Sequence, residues 1–180
     1  MMNVQSLASI IVMGLMAVGT STSLNAAVVR DAVALESGAT QKVAQMTETR
    51  FPAVYTENGI ALDGQDVVAY FTQNALVEGN SKYAYRWKGA QWLFSSAKHR
   101  DMFAQNPTKY APQYGGYCSK AAAGGVLATT IPNAWEVRDG KLYLNYSLDA
   151  QKEWKQDTAT KIVKANANWP KILNNETLKR

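Results

Sequence analysis

Two chemically versatile side chains occur once each in this chain of 180 residues, His99 and Cys118. Both fall in one stretch, Trp92 to Cys118, which also carries Met102. An imidazole, a thioether and a thiol form a soft donor set of the kind that suits copper or zinc. His99 and Met102 stand three apart, so on a helix they share a face. His99, Cys118 and Met102 are therefore the candidate metal ligands. The set falls short of the four ligands of a structural zinc site, and no Cys-x-x-Cys or His-x-x-x-His pair accompanies it. Met102, next to Phe103, is equally well read as core, and His99 as a hydrogen-bonded packing residue.

The same residues admit a nucleophile reading. A thiolate at Cys118 would need a base such as His99. Gly115-Gly116 could bare amides for an oxyanion hole, and Asp66 or Asp101 could orient the base. A third reading is a recessed pocket lined by Tyr70, Tyr85, Trp87, Trp92, Tyr110, Tyr114, Tyr117 and Trp135, with Asp66 and Ser95 as polar handles. Each ring is also an ordinary core residue. Cys118 has no partner within the chain, and burial is the common state of an unpaired cysteine.

The elements that must position these groups read as follows. Asn58-Gly59 and Asp63-Gly64 are turns, and Asp66 to Phe71 (DVVAYF), β-branched and aromatic, reads as a strand. Lys82 to Trp87, Lys88-Gly89 and Gln91 to Phe94 read as a hairpin. Ser95 and Ser96 offer N-cap oxygens to a short helix over 97–105, ended by Asn106-Pro107. That helix puts Ser95, His99, Met102, Phe103 and Asn106 on one face. Pro107 starts one more helical turn through Tyr110, and Pro112 stops it. Trp135 to Arg138 and Lys141 to Tyr146 alternate around Asp139-Gly140, the strongest hairpin signal in the chain. A final helix starts near Asp149, with Trp154, Thr158, Ile162, Ala165 and Trp169 as its apolar stripe. The sum is an α+β fold: a small antiparallel sheet with helices packed on one side and a C-terminal helix.

Hydrophobic residues make up 47% and charged residues 18%, values that exclude a disordered chain. The formal net charge is +5. Lys152, Lys155, Lys161, Lys164, Lys171 and Lys179 are spread through a helical pattern with Glu153 and Asp157 among them, a solvated face and not a nucleic-acid surface. Residues 1–26 read as a signal peptide cleaved after Ala26. The apolar run Leu7 to Val18 is too short to span a membrane, which takes about 20 apolar residues. The run has no Lys or Arg before it. The expected organisation is a signal peptide at 1–26, a lead-in at 27–50, one domain at 51–173 and a polar tail at 174–180. Export to the periplasm or outside the cell follows, with membrane contact only through the signal before cleavage.

Asp66 to Ala69, Trp87-Lys88-Gly89, Phe94-Ser95-Ser96, His99, Phe103, Asn106-Pro107 and Tyr110 follow the spacing of a known motif. Gly64-x-Asp66-Val67-Val68-Ala69-Tyr70-Phe71, Tyr110 to Cys118 (YAPQYGGYC) and Gly140 to Tyr146 (GKLYLNY) extend the match, with Trp154 and Trp169-Pro170 after them. Over roughly residues 55–173 the chain resembles the YHS domain family, in particular its secreted bacterial branch. YHS domains are small modules often found in metal-handling proteins. Ala69 and Ser95 stand where the metal-type motif has cysteines, and His99 stands at a third. The resemblance therefore carries over one ligand-type position, His99, and no cysteine-built centre. The branch brings no activity with it; the only histidine and only cysteine sharing one segment make the expected reading an exported YHS-type binding protein for a transition metal or small ligand near His99 and Cys118. The alternatives are a thiol-dependent enzyme or redox protein using Cys118, and a non-catalytic accessory subunit.

Overall fold

The computed structural model describes residues 49–180; the expected signal peptide and residues 27–48 of the lead-in lie outside the described residues. In chain order the first half comprises β1 (Thr56–Glu57), β2 (Ile60–Ala61), α1 (Val67–Thr72), β3 (Asn80–Trp87), β4 (Ala90–Phe94), α2 (Ala97–Gln105) and α3 (Pro107–Tyr110). The second half comprises α4 (Ser119–Ala123), β5 (Leu127–Ala128), β6 (Trp135–Arg138), β7 (Lys141–Leu144), α5 (Leu148–Gln156), α6 (Thr158–Asn168) and β8 (Leu178–Lys179).

Three turns of one kind set the strand registers. Asn58-Gly59, Lys88-Gly89 and Asp139-Gly140 each carry two successive positive φ values, 50° and 79°, 49° and 77°, and 51° and 69°. That is the two-residue turn whose twist matches its flanking strands. The expected hairpins β3–β4 and β6–β7 are present, and β1–β2 adds a third. The fold is α+β, as expected. Its main sheet, ordered β1-β2-β4-β3, is mixed and not antiparallel, because β2 runs parallel to β4 through the Ile60–Gln91 pairing. A parallel pairing links strands distant in sequence, so no local turn announces it.

Two other expectations are corrected. Asp66 to Phe71 is not a strand: Val67–Thr72 is α1, and Asp66 is its N-cap, accepting from the Val68 and Ala69 amides. A short run buried on every side has no periodicity to separate strand from helix, whereas a capping aspartate does mark a helix start. The C-terminal helix is two helices, since Asp157 leaves the helical region at φ −153° and ψ 63°. Its side chain accepts from Thr160 N at 3.3 Å and starts α6. Within the polar tail at 174–180, β8 pairs in parallel with β5.

Buried side chains form two apolar clusters. One gathers Val67, Val68, Trp92, Phe94 and Phe103 under the main sheet. The other gathers Tyr117, Leu127, Trp154, Ala165 and Leu173 beside α5 and α6. β7 is the wall between them. Leu142 and Leu144 point into the first cluster and Tyr143 into the second, all at most 3% exposed. Alternation along a strand is usually read as inside against outside, but here both faces are inside.

Buried phenols tie distant segments together. Tyr70 donates to Pro132 O at 3.0 Å and Tyr117 to Pro52 O at 2.9 Å. Tyr114 donates to Asn166 Oδ1 at 3.0 Å. Burial pushes Tyr117 up to about 12 and also raises Tyr70 and Tyr114. Unfolded phenols ionise near pH 10. Above that pH the unfolded chain therefore binds fewer protons than the folded one, and stability falls as pH rises. The expected result is a urea midpoint that is steady up to about pH 9 and falls progressively between about pH 10 and 12. A midpoint that holds up to pH ~11 would contradict it.

Candidate functional site

Asp66 is the centre of the polar network. It is fully buried at the start of α1. Its Oδ1 accepts from Val68 N at 2.9 Å and Ala69 N at 3.3 Å. Its Oδ2 accepts from Ser95 N at 2.8 Å, Ser95 Oγ at 2.6 Å and His99 Nδ1 at 2.7 Å. A buried carboxylate is tolerated when its lone pairs are filled in this way. Because the carboxylate accepts, the network assigns the His99 proton to Nδ1. Ser96, not Ser95, caps α2 by accepting from His99 N at 3.2 Å.

On the far side of the imidazole, Nε2 faces Thr72 Oγ1 at 3.4 Å. An acid, an imidazole and a hydroxyl in series are the parts of a nucleophilic triad. The Thr72 hydroxyl, however, donates to Val68 O at 3.0 Å, the local bond of a helical threonine. Its gap to Nε2 is longer than the roughly 2.6–3.2 Å of a working nucleophile–base pair. As it stands, the network joins α1, the end of β4 and the first turn of α2. Thr72 was not foreseen; no local signal links it to His99.

Cys118 sits in a separate environment. It is 2% exposed and caps α4, its Sγ accepting from Ala121 N at 3.5 Å and approaching Asn145 Oδ1 at 3.9 Å. Burial pushes the thiol up, against the lowering effect of nearby amides and Lys120. It is therefore a thiol and not a thiolate at neutral pH, which is the inert state. Asn145 Oδ1 also holds Lys120 N at 3.2 Å, while Asn145 Nδ2 and Ser119 Oγ are buried without a partner among the described residues. Among the described residues His99 and Cys118 have no hydrogen-bonding partner in common.

Met102 is partly buried against the first cluster. The donor set His99, Met102 and Cys118 thus does not fit one copper or zinc centre: Asp66 occupies Nδ1, and the thiol is engaged elsewhere. Among the described residues no group of three or more His, Cys, Asp or Glu side chains is placed to hold a metal ion. Of the pocket candidates, Asp66 and Ser95 belong to the polar network, and Tyr70 and Tyr117 are buried struts. Tyr70 packs edge-on against Trp135 at 5.0 Å.

Tyr114 does line a cleft. It opens where the two clusters meet, with a volume of about 440 Å³. Trp87, Trp92, Tyr114 and Trp169 supply aromatic surface, with Gln113 and Asn166 as amide side chains. Trp87 and Trp169 are only half-buried. Lys88 is the one charged lining residue among the described residues, its Nζ 4.7 Å from the centre of the Trp87 ring. The rings of Trp87 and Trp92 were foreseen as pocket candidates. Lys88 reads as a turn residue and Trp169 as part of a helical stripe, so their convergence was invisible in the sequence. A second cleft, also about 440 Å³, opens beside Cys118. A scan against protein-family models and searches of curated proteins and of solved structures found no match to this chain.

Proposed function

We propose that this chain is an exported, YHS-type binding protein without catalytic activity, and that it holds a small, flat, anionic organic ligand in the aromatic cleft. The observation that carries the reading is the cleft itself. Its volume of about 440 Å³ lies within the roughly 300–1,000 Å³ of small-molecule sites, which are mostly apolar with a few placed polar groups. Half-buried tryptophan faces leave stacking surface unused by the core. Lys88, the sole charge in the lining among the described residues, favours an anion. Export and family membership rest on the sequence pattern. The thiol-enzyme reading is disfavoured by the buried, protonated Cys118.

Titration with 2-naphthoate, followed by quenching of tryptophan fluorescence, tests the reading. Saturable binding is expected, weakened about tenfold or more by Trp169→Ala, a loss of roughly 1.4 kcal/mol. Lys88→Glu, an exposed substitution in a turn, is expected to weaken it similarly without changing the melting curve. Binding that is absent, or equal in wild type and Lys88→Glu, would sink the proposal.

A further inference from the structure

The second cleft has a different chemistry. Its buried lining residues, Cys118, Ala128 and Ala150, make an apolar floor, with the thiol protonated and Tyr146 as an exposed flank. Its charged lining residues are Lys120, Lys179 and Arg180, and among the described residues no acidic side chain lines it. Lys179 and Arg180 are exposed, so the positive charge lies at the rim. Lys120 pairs with Glu153 at 2.5 Å, but that contact is largely solvent-exposed and is a weak competitor for Lys120. Tyr146, which lines the cleft, is 44% exposed and adds aromatic surface to its flank.

An apolar floor flanked by Lys179 and Arg180 is complementary to a molecule with an alkyl chain and an anionic head. We infer that this cleft is a second binding site, independent of the aromatic cleft, for a free single-chain alkyl carboxylate. The chain lies on Cys118, Ala128 and Ala150, and the carboxylate meets Lys179 and Arg180. The Cys118 thiol serves as apolar surface in this site and undergoes no reaction. The two clefts differ in what they select: stacking surface and one lysine in the first, aliphatic floor and a cationic rim in the second.

The test is calorimetric titration of the full chain with octanoate, decanoate and dodecanoate, each below its micelle concentration. Affinity is expected to rise about fourfold per buried methylene. It should fall as ionic strength rises, because the rim charges are exposed. Replacing decanoate by its methyl ester should cost about tenfold or more. The double variant Lys179→Glu and Arg180→Glu changes only surface charge and should lose carboxylate binding while keeping 2-naphthoate binding. Val126→Trp, which fills the cleft from its wall, should abolish binding at every chain length. Affinity independent of chain length, equal binding of ester and acid, or unchanged binding by the double variant would each overturn the inference. Binding to anionic phospholipid vesicles without binding to the free carboxylates would overturn it too.

Discussion

Replacing Asp66 with alanine is expected to cost about 3–5 kcal/mol of folding stability, the range for removing one partner of a buried charged network. The reason lies in what is left behind. Asp66 satisfies Val68 N, Ala69 N, Ser95 N, Ser95 Oγ and His99 Nδ1, and its side chain is fully buried. Each buried donor left without a partner costs on the order of 1–3 kcal/mol. A domain with about 5–15 kcal/mol in total would lose a large fraction of it and melt on the order of 10 °C lower. Asp66→Asn keeps an oxygen for the α1 cap but turns an amide N–H toward Ser95 N, so its cost should be smaller. His99→Ala leaves four of the five bonds to the carboxylate and should cost least. Thermal melts of the three variants check the order. An Asp66→Ala protein melting with the wild type would show that the network contributes nothing to the fold.

The second large effect is expected at Gly115. Its φ is +62°, and a Cβ there would lie 2.0 Å from the Ala53 carbonyl oxygen and 3.0 Å from the Ala53 carbonyl carbon. Those are backbone atoms and cannot rotate away. The left-handed conformation alone costs roughly 1–2 kcal/mol for a residue with a Cβ, and forced repacking about 1–3 kcal/mol more. The Tyr55 N to Gly115 O bond at 2.9 Å lies across the same contact and would open with it. Because Ala53, Gly115 and Trp169 all line the aromatic cleft, Gly115→Ala should also remove 2-naphthoate binding. Gly89→Ala is the matched control. It has φ +77° and nothing within 4 Å of the added Cβ, so it should show the conformational cost alone. Gly116→Ala, where the nearest atom is Pro112 Cγ at 3.3 Å, should fall between. Equal denaturation midpoints for the Gly115 and Gly89 variants would refute the argument from close approach.

The candidate site was partly legible before the structure. Asp66, Ser95 and His99 were each candidates, and Ser95 was placed on the His99 face. The structure makes them one unit, but with Asp66 at its centre and Ser95 donating to the carboxylate. Tyr114, Trp87 and Trp92 were marked for a pocket and do line one, joined by Lys88 and Trp169. Met102 and Cys118 were marked as ligands and have other surroundings. Met102 shares α2 with His99, but for Cys118 nearness in sequence is misleading. Between His99 and Cys118 lie α3 and the Tyr114-Gly115 turn, both residues of which have positive φ and redirect the chain.

What the sequence determined by itself is what acts over a few residues. Asn58-Gly59, Lys88-Gly89 and Asp139-Gly140 dictate turns because their backbone angles are cheap there and costly elsewhere. Ser96, Asn106 and Ser147 start helices because each side chain reaches an amide three residues on. What only the tertiary structure decided depends on partners far along the chain. The Asp66 carboxylate meets residues 29 and 33 positions away, and Cys118 meets Asn145 across 27. The same holds for the parallel β2–β4 pairing and for β7 with both faces buried. Apolar burial drives these associations, but it is non-directional and names no partner; close packing and the demand that every buried polar group be satisfied select the one arrangement that meets both.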